Sequence, residues 1–458
     1  MFKKLFSMML VVLMLGGMAA CASGNSSSQT TGNEESGTKS SGEAAGNNPW
    51  DQMELGANGP IEIDFWHIQA TIYGEAVHEI VEEFNKEYDG KIKVNEVFQG
   101  TYEELNKKVG ASLAGGGLPN VTMAYESDTL EYMKSGQVKE LDEFIASEKY
   151  GYTQDELNEI NEGVLARQRL PQYDGKTMSW IHGNSSMGIY YNKDILSKAG
   201  FEQPAETWKE FEEQALAIYE KTGIPAAAVD PNSLGGNFGI WLRTYGVEPI
   251  ALDGRSVDYA NEHAIELAGI LKNLVDKGAI YYAEDTEQEF TNGRAAMEIG
   301  TTARSSTKID LIQDTFQWGI NLIPQGNLET KSTGLWGGNH IMFTSTPEEE
   351  LASWVFMKYF ASAEAQAIYA AKTGYFPAVK SALETELLQE NFAANPQKQD
   401  AFENVFPYAR ITAPTAASRP IGDVVSDAIS GVLNNTMSVE DAIKKMHQDA
   451  ESALMQYQ

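Results

Sequence analysis

Two periodicities alternate between Ile61 and Glu126, and that alternation constrains the fold more than any other feature of the chain. "IEIDFWHI" (Ile61 to Ile68) alternates apolar and polar residues, the period-2 pattern of a strand with one buried face. "GEAVHEIVEEFNKEYDG" then sets Val77, Ile80, Val81 and Phe84 on one face of a helix that Gly90 ends. "KIKVNEVFQ" predicts a second strand, "TYEELNKKVGASLAGG" a second helix capped by Thr101, and "NVTMAYE" a third strand. A β-α-β-α-β order is satisfied by a parallel sheet covered with helices, which places the chain in the α/β class. Ligands of such sheets bind at the carboxyl ends of the strands, where Phe65, Trp66, Tyr125 and Glu126 are expected. The alternation restarts near "MGIYYNKDILSKAGF" and continues through "WKEFEEQALAIYEKTG". It closes with long helical segments from Glu348 to Ala371 and from Val424 to Tyr457. No internal repeat is evident, so a second lobe of like architecture, and not a copy, is expected.

The residues from Ile61 onward suffice for two lobes with their own cores, in a chain 42% hydrophobic and 10% aromatic. The formal charge of −31, from 34 Lys and Arg against 65 Asp and Glu, argues against nucleic acid and against broad adhesion to anionic lipid, since both reward cationic faces.

The N-terminus has the layout of a bacterial export signal. Lys3 and Lys4 precede an apolar run from Leu5 to Met18, followed by Ala19 and Ala20. The run is shorter than the roughly 20 residues a membrane span needs, so residues 1–20 are expected to be a cleaved signal peptide. Met18-Ala19-Ala20-Cys21 resembles the lipobox of bacterial lipoproteins, in which the cysteine thiol is alkylated by a diacylglyceryl group. Cys21 is the only cysteine, which leaves lipid attachment as its use and rules out a disulfide within the chain. Residues 21–59 are expected to form the lipidated N-terminus and a flexible tether, because Ser, Gly, Asn and Thr dominate and branched apolar residues are few. Such a tether spans roughly 35 Å root-mean-square. Trp50 stands alone in it.

Catalytic and metal motifs are mostly incomplete. "DGKT" (Asp174 to Thr177) ends like a phosphate-binding loop, but Leu170 stands where its first glycine is required. "HEIVE" (His78 to Glu82) begins like a zinc-protease helix, with Glu82 in place of the second histidine. Six scattered histidines and no thiolate partner leave no transition-metal site, and no Gly-x-Ser-x-Gly elbow occurs. A carboxylate pair for glycoside chemistry remains open among so many acids.

Six segments in series carry a family resemblance: "IEIDFWHIQATIYGEAVHEIVEEFN", "FQGTYEEL", "GGGLPNVTMAYES", "GIYYNKDILSKAGFEQPAETWKEF", "FTNGRAAMEIGTT" and "AKTGYFPAVKSAL". With the lipobox-like N-terminus, they resemble the family 1 extracellular solute-binding proteins of bacterial ABC importers, from about Ile61 to the C-terminus. The Phe-Trp-His opening, the Gly-x-Tyr-Glu segment and the Asn-Ser-Ser ahead of Tyr-Tyr-Asn-Lys-Asp are most similar to the glycerol-3-phosphate-binding branch. The resemblance implies a two-lobed α/β fold of the periplasmic-binding-protein-like type 2 kind, with several interlobe crossovers. It places residues 60–185 plus 303–337 in the N-terminal lobe and 186–302 plus 338–458 in the C-terminal lobe. The crossings would lie near Asn184–Gly188, Gly300–Arg304 and Gly337–Asn339, where glycine and small polar residues suit hinges.

Carried over residue by residue, the resemblance implies ligand contacts from Tyr102, Glu126, Ser186, Thr301, Gly338, Tyr375 and Arg419. Chemically, a carboxylate accepts polyol hydroxyls, tyrosines offer flat apolar area with a phenol, and arginine grips an oxyanion. Trp336 stands where that branch would carry an aliphatic residue, and Trp66, Trp241 and Tyr245 add aromatic surface of the kind that stacks on sugars. His67, His340, Arg243 and Arg304 are further groups that would help hold a phosphate. The motifs therefore favour glycerol 3-phosphate or a related phosphodiester, whereas aromatics and charge favour a neutral sugar, and both stand open. The expected protein carries no cofactor and does no chemistry. As a monomer it would sit lipid-anchored on the extracytoplasmic face of the cell membrane, capturing a sugar, polyol or glycerol-phosphate ligand for the membrane subunits of an ABC importer. The reading from a different class is a membrane-anchored carbohydrate-active enzyme using a carboxylate pair.

Overall fold

A computed structural model describes residues 48–457; the signal peptide, Cys21 and most of the expected tether lie outside them. β1 (Ile61–His67), α1 (Thr71–Glu87), β2 (Ile92–Phe98), α2 (Tyr102–Gly115) and β3 (Val121–Ala124) form in the expected order. The three strands are parallel with β1 central, Ile61 facing Ile92 on one side and Phe65 facing Val121 on the other. Val77, Ile80, Val81 and Phe84 are buried, the face their spacing predicts. Thr101 caps α2 in a reciprocal box: its hydroxyl accepts from the Glu104 amide, and Glu104 accepts from the Thr101 amide at 2.7 Å. α3 (Glu126–Met133) starts one residue after β3, so Tyr125 and Glu126 do sit at a strand's carboxyl end.

From β4 (Trp180–Ile181) the chain passes through Gly183–Asn184 into a second sheet made of β5 (Ser185–Asn192), β6 (Ala227–Val229), β7 (Ile280–Tyr282), β8 (Met297–Thr301), β9 (Trp318–Leu322) and β10 (Thr333–Trp336). It returns through Gly337–Gly338 as β11 (Asn339–Met342), which enters between β3 and β4, antiparallel to both. β12 (Ala409–Arg410) then pairs with β10. The first sheet is ordered β2-β1-β3-β11-β4 and the second β12-β10-β5-β8-β6-β7, with β9 along the remainder of β5. Both are mixed sheets: the first three strands are parallel as expected and β6 runs parallel to β7 and β8, whereas β11 and β5 run antiparallel to the neighbours they pair with.

The strand pairing moves the lobe boundaries. Residues 303–337 were expected in the N-terminal lobe, but β9 and β10 within them pair with β5 of the second sheet. Residues 338–458 were expected in the C-terminal lobe, but β11 joins the first sheet and the helix Pro347–Phe360 packs on β1 and β11. The chain does not change sheets at Gly300–Arg304, because β8 before it and β9 after it both pair with β5. The return to the second sheet comes instead at β12, ahead of the helices Ser418–Leu433 and Val439–Met455.

The expected tether also ends early. Asn48 caps a 3-10 turn over Pro49–Gln52, accepting from the Trp50 amide at 3.0 Å. Trp50 is buried and stacked on Phe144 with ring centroids 4.1 Å apart, and Asp51 accepts from the Ser147 hydroxyl at 2.5 Å. One large aromatic buries enough area to fold a segment whose other residues would not. The two long helical segments each break once, at Ala361–Ser362 and at Asn434–Met437, where Asn435 takes a φ of +58°.

Candidate ligand-binding cleft

The two crossing segments meet backbone to backbone. Gly337 has φ +122°, and a Cβ there would collide with the Gly183 carbonyl oxygen, so only glycine fits. A cavity of about 520 Å³ opens beside this junction. The first-sheet side contributes Gln69, Tyr125 and Tyr375, while Ser185, Thr301 and Trp336 come from β5, β8 and β10. Tyr375 meets Tyr73 edge-on at 6.1 Å, and Tyr102 packs on Tyr125 at 4.3 Å. Burial raises the phenols of Tyr102, Tyr125 and Tyr375, which keeps them protonated as neutral donors.

The structure gathers Thr301, Trp336 and Tyr375 on this cavity; Gly338 follows the lining Gly337 in the chain, and a Cβ there would press on the Tyr102 hydroxyl at 2.5 Å. Glu126 is held by two donors on one oxygen: the Arg167 guanidinium, and the Asn339 amide at 2.9 Å. Ser186 is turned away: fully buried, its hydroxyl donates to the Gly334 carbonyl at 2.8 Å. The serine that borders the cavity is its neighbour Ser185, 3.4 Å from the Thr301 hydroxyl. Trp66 packs half-buried against the first core, and Tyr245 stacks on His263 at 5.0 Å within the second lobe. Arg419 is exposed at the start of its helix, where its charge acts on Glu103 and Asp128 of the first lobe.

Arg167 carries no motif and no sequence signal marks it. It is 1% exposed, binds Glu126, and donates to the carbonyls of Trp336, at 3.4 Å, and Gly337. Its guanidinium thus ties the acid of α3 to the crossing peptide. Other arginines near the cleft are likewise engaged. Arg304 donates to Glu287 at 2.9 Å and Arg243 to Glu248 at 3.1 Å. Buried Lys308 lies between Glu287 at 2.9 Å and Glu298 at 3.1 Å. Burial pushes the Glu287 carboxyl up, but Arg304 and Lys308 outweigh it and hold the group below its ordinary value.

His67 and His340 are not placed to meet a ligand anion. With His182 they form a cluster inside the first lobe, His182 Nδ1 lying 2.8 Å from His340 Nε2. Burial lowers His67 to about 4 and His340 to about 3, and it lowers His182 too, so all three are neutral near pH 7.

Residues 79–398 match the profile of a family described as bacterial extracellular solute-binding protein. The sn-glycerol-3-phosphate-binding periplasmic protein UgpB of Rhizobium meliloti is 25% identical over 412 residues, covering 87% of this chain and 92% of that protein. Its namesake in Pectobacterium atrosepticum is 25% identical over 365 residues, covering 75% and 79%. Among solved structures, the cyclic alpha-maltosyl-1,6-maltose binding protein of Arthrobacter globiformis superposes with a TM-score of 0.75 at 20% identity, covering 87% of this chain and all of that one. UgpB of Mycobacterium tuberculosis, in complex with glycerophosphocholine, superposes at 0.74 with 19% identity, covering 86% and 98%. These superpositions show the two-lobed fold.

Proposed function

Because the chain belongs to the bacterial extracellular solute-binding protein family, we propose that it captures a neutral saccharide between its lobes and delivers it to the membrane subunits of an ABC importer. One observation carries the choice of ligand: Arg304, the arginine that borders the cleft cavity, is already engaged by a carboxylate. Arg304 faces Glu287, and outside the cavity lining Arg167 faces Glu126 and Arg243 faces Glu248. A phosphate dianion entering a chain of net charge −31 would have to displace one of these carboxylates from a partly desolvated pair, which is costly. A sugar needs no such exchange. Its hydroxyls find an acceptor in Gln69 and donors in Tyr125 and Tyr375, and its flat apolar face finds Trp336 and Tyr375. Of the contacts expected from sequence, Tyr102, Glu126, Thr301, Trp336, Gly338 and Tyr375 enter this reading, with Ser185 in the place of Ser186.

Ligand touching both lobes favours a closed form, and that form is what the importer's membrane subunits recognise. The chain does no chemistry on what it carries: its relatives are binding proteins, which leaves the carboxylate-pair enzyme without support. Cys21 holds it to the outer face of the membrane through its lipid. The test is a thermal-shift panel of mono- and oligosaccharides, glycerol 3-phosphate and glycerophosphocholine, with product analysis on each sugar. A saccharide is expected to raise the melting temperature without turnover, by an amount that grows with its concentration. Stabilisation by glycerol 3-phosphate or glycerophosphocholine alone would establish the phosphate reading instead.

A further inference from the structure

A cavity of about 880 Å³ lies apart from the cleft, and the two have no lining residue in common. Strand β10 runs between them: Lys331 and Ser332, just before its first residue, line this cavity, while Trp336, its last, borders the cleft. Four strand residues separate Ser332 from Trp336 by roughly 13 Å. Both lobes supply walls. Glu162 and Ala166 belong to the helix Glu162–Arg167 on the first core, Arg243 ends a helix of the second core, and Phe406 and Arg410 lie on the segment that returns to the second sheet at β12.

Charge sets this cavity apart. The whole chain has 65 acids against 34 cations, yet here three cations, Arg243, Lys331 and Arg410, meet two acids, Glu162 and Glu248. Arg243 is buried and donates to Glu248 at 3.1 Å. Neither Lys331 nor Arg410 forms an ion pair among the described residues. Lys331 is half-buried with its ammonium 5.9 Å from the Tyr408 ring centroid, and Arg410 uses only Nη1, on the carbonyls of Pro407 at 2.8 Å and Ala409 at 2.9 Å. The segments that carry them run side by side, since Thr333 and Gly334 pair with Ala409 and Arg410. Two cations gathered on one cavity without a counter-charge repel, and an anion between them relieves that repulsion. Thr330 adds a hydroxyl, and Leu252, Phe406 and Ile411 add an apolar wall.

We propose that this cavity is an anion site separate from the saccharide cleft, taking a small organic molecule whose phosphate or carboxylate group sits between Lys331 and Arg410 and whose apolar part rests on Leu252, Phe406 and Ile411. A guanidinium grips two oxygens of such a group, and an ammonium adds a compact point charge. The volume falls within the roughly 300 to 1,000 Å³ of small-molecule pockets. The cost that disfavours a phosphate in the cleft does not arise here, because no carboxylate has to leave either Lys331 or Arg410. The position also bears on the hinge: Ala166 borders the cavity, and the next residue, Arg167, donates to the Gly337 carbonyl of the crossing.

The experiment is thermal unfolding of the purified chain in inorganic phosphate, citrate, phenyl phosphate and glycerol 3-phosphate, each against sodium chloride of equal ionic strength. Phenyl phosphate is expected to raise the melting temperature with concentration, and to do so at lower concentration than inorganic phosphate, which has no apolar part. Lys331→Met and Arg410→Met, both outside the cleft, are each expected to remove at least about half of that rise. Either variant serves if the other does not fold. Salting-out by phosphate and citrate acts alike on native and variant chains, so the difference between them reads the site. No rise above the chloride control, or a rise unchanged in both variants, overturns the anion site and leaves the saccharide reading standing. Stabilisation by glycerol 3-phosphate that is lost in the variants supports this site, whereas stabilisation that survives both substitutions places that ligand in the cleft and counts against the saccharide reading.

Discussion

Ser185 and Ser186 are adjacent on β5 and face opposite ways, because side chains of a strand alternate between its two faces. The resemblance placed the ligand hydroxyl one position late, and a slip of one residue is enough to turn a cleft group into a core group. Ser186→Ala is therefore expected to cost roughly 1 kcal/mol of stability through its lost bond to the Gly334 carbonyl, with saccharide affinity kept. Ser185→Ala is expected to do the reverse, weakening binding with the melting temperature nearly unchanged. Paired melting and titration of the two variants checks the assignment, and equal affinity losses would restore Ser186 to the cleft. Arg167 marks the limit of reading residues from sequence: it lies in no motif, and its role arises only where α3 and the crossing peptide meet it in space. Arg167→Met would leave Glu126 with only the Asn339 amide on that oxygen, and removing one partner of a buried pair costs about 3–5 kcal/mol. Denaturant unfolding should show that loss, and Glu126→Gln added to it should recover part, since the stranded charge is then gone.

Among the elements, the best-anticipated were those whose pattern is local. The alternation of β1 and the face of α1 follow from spacing alone, and the Thr101 cap from a Thr and Glu three residues apart. The breaks in the long C-terminal helical segments were not legible, because the one at Asn434–Met437 depends on a left-handed residue and not on a glycine or proline in the pattern. Nor was the histidine cluster, to which His67 of β1, His182 just after β4 and His340 of β11 each contribute one ring across strands distant in sequence. It has a consequence for stability. Burial holds His67 to about 4 and His340 to about 3, against 6.5 for the unfolded chain, so on acidification the unfolded state takes up these protons first. Stability from the cluster is complete above about pH 6.5 and is lost as pH falls toward 4, at up to about 1.4 kcal/mol per pH unit for each histidine. The melting temperature should accordingly fall through this window, and His340→Leu should flatten that fall by roughly a third if the three rings contribute alike. A profile with the same slope in the variant would assign the acid sensitivity to carboxylates elsewhere.

For the whole molecule, the type of fold was legible and the partition of the chain was not. Periodicity says that a segment is a strand; it does not say which sheet the strand joins, and that is decided by pairings such as β11 with β3, far apart in sequence. The boundary at the N-terminus was missed for a related reason, since the composition of the expected tether masks one tryptophan with a partner, Phe144, nearly a hundred residues away. Because Asn48–Met53 folds onto the first lobe, the lobe that bears Glu126 and Tyr102 is also the one from which the N-terminal segment departs. A lipid at Cys21 would therefore leave the cleft attached to the membrane through its first lobe. The acidity of the chain bears on this proposed anchor: a charge of −31 offers no attraction to anionic headgroups, so net charge would not by itself keep the protein at such a surface. Cys21→Ala should then move the protein from the membrane fraction to the medium or the soluble extracytoplasmic fraction, with saccharide-induced stabilisation equal to that of the native chain. Retention of the variant at the membrane would show that another contact holds it there, and a loss of ligand stabilisation would show that the N-terminal segment takes part in binding.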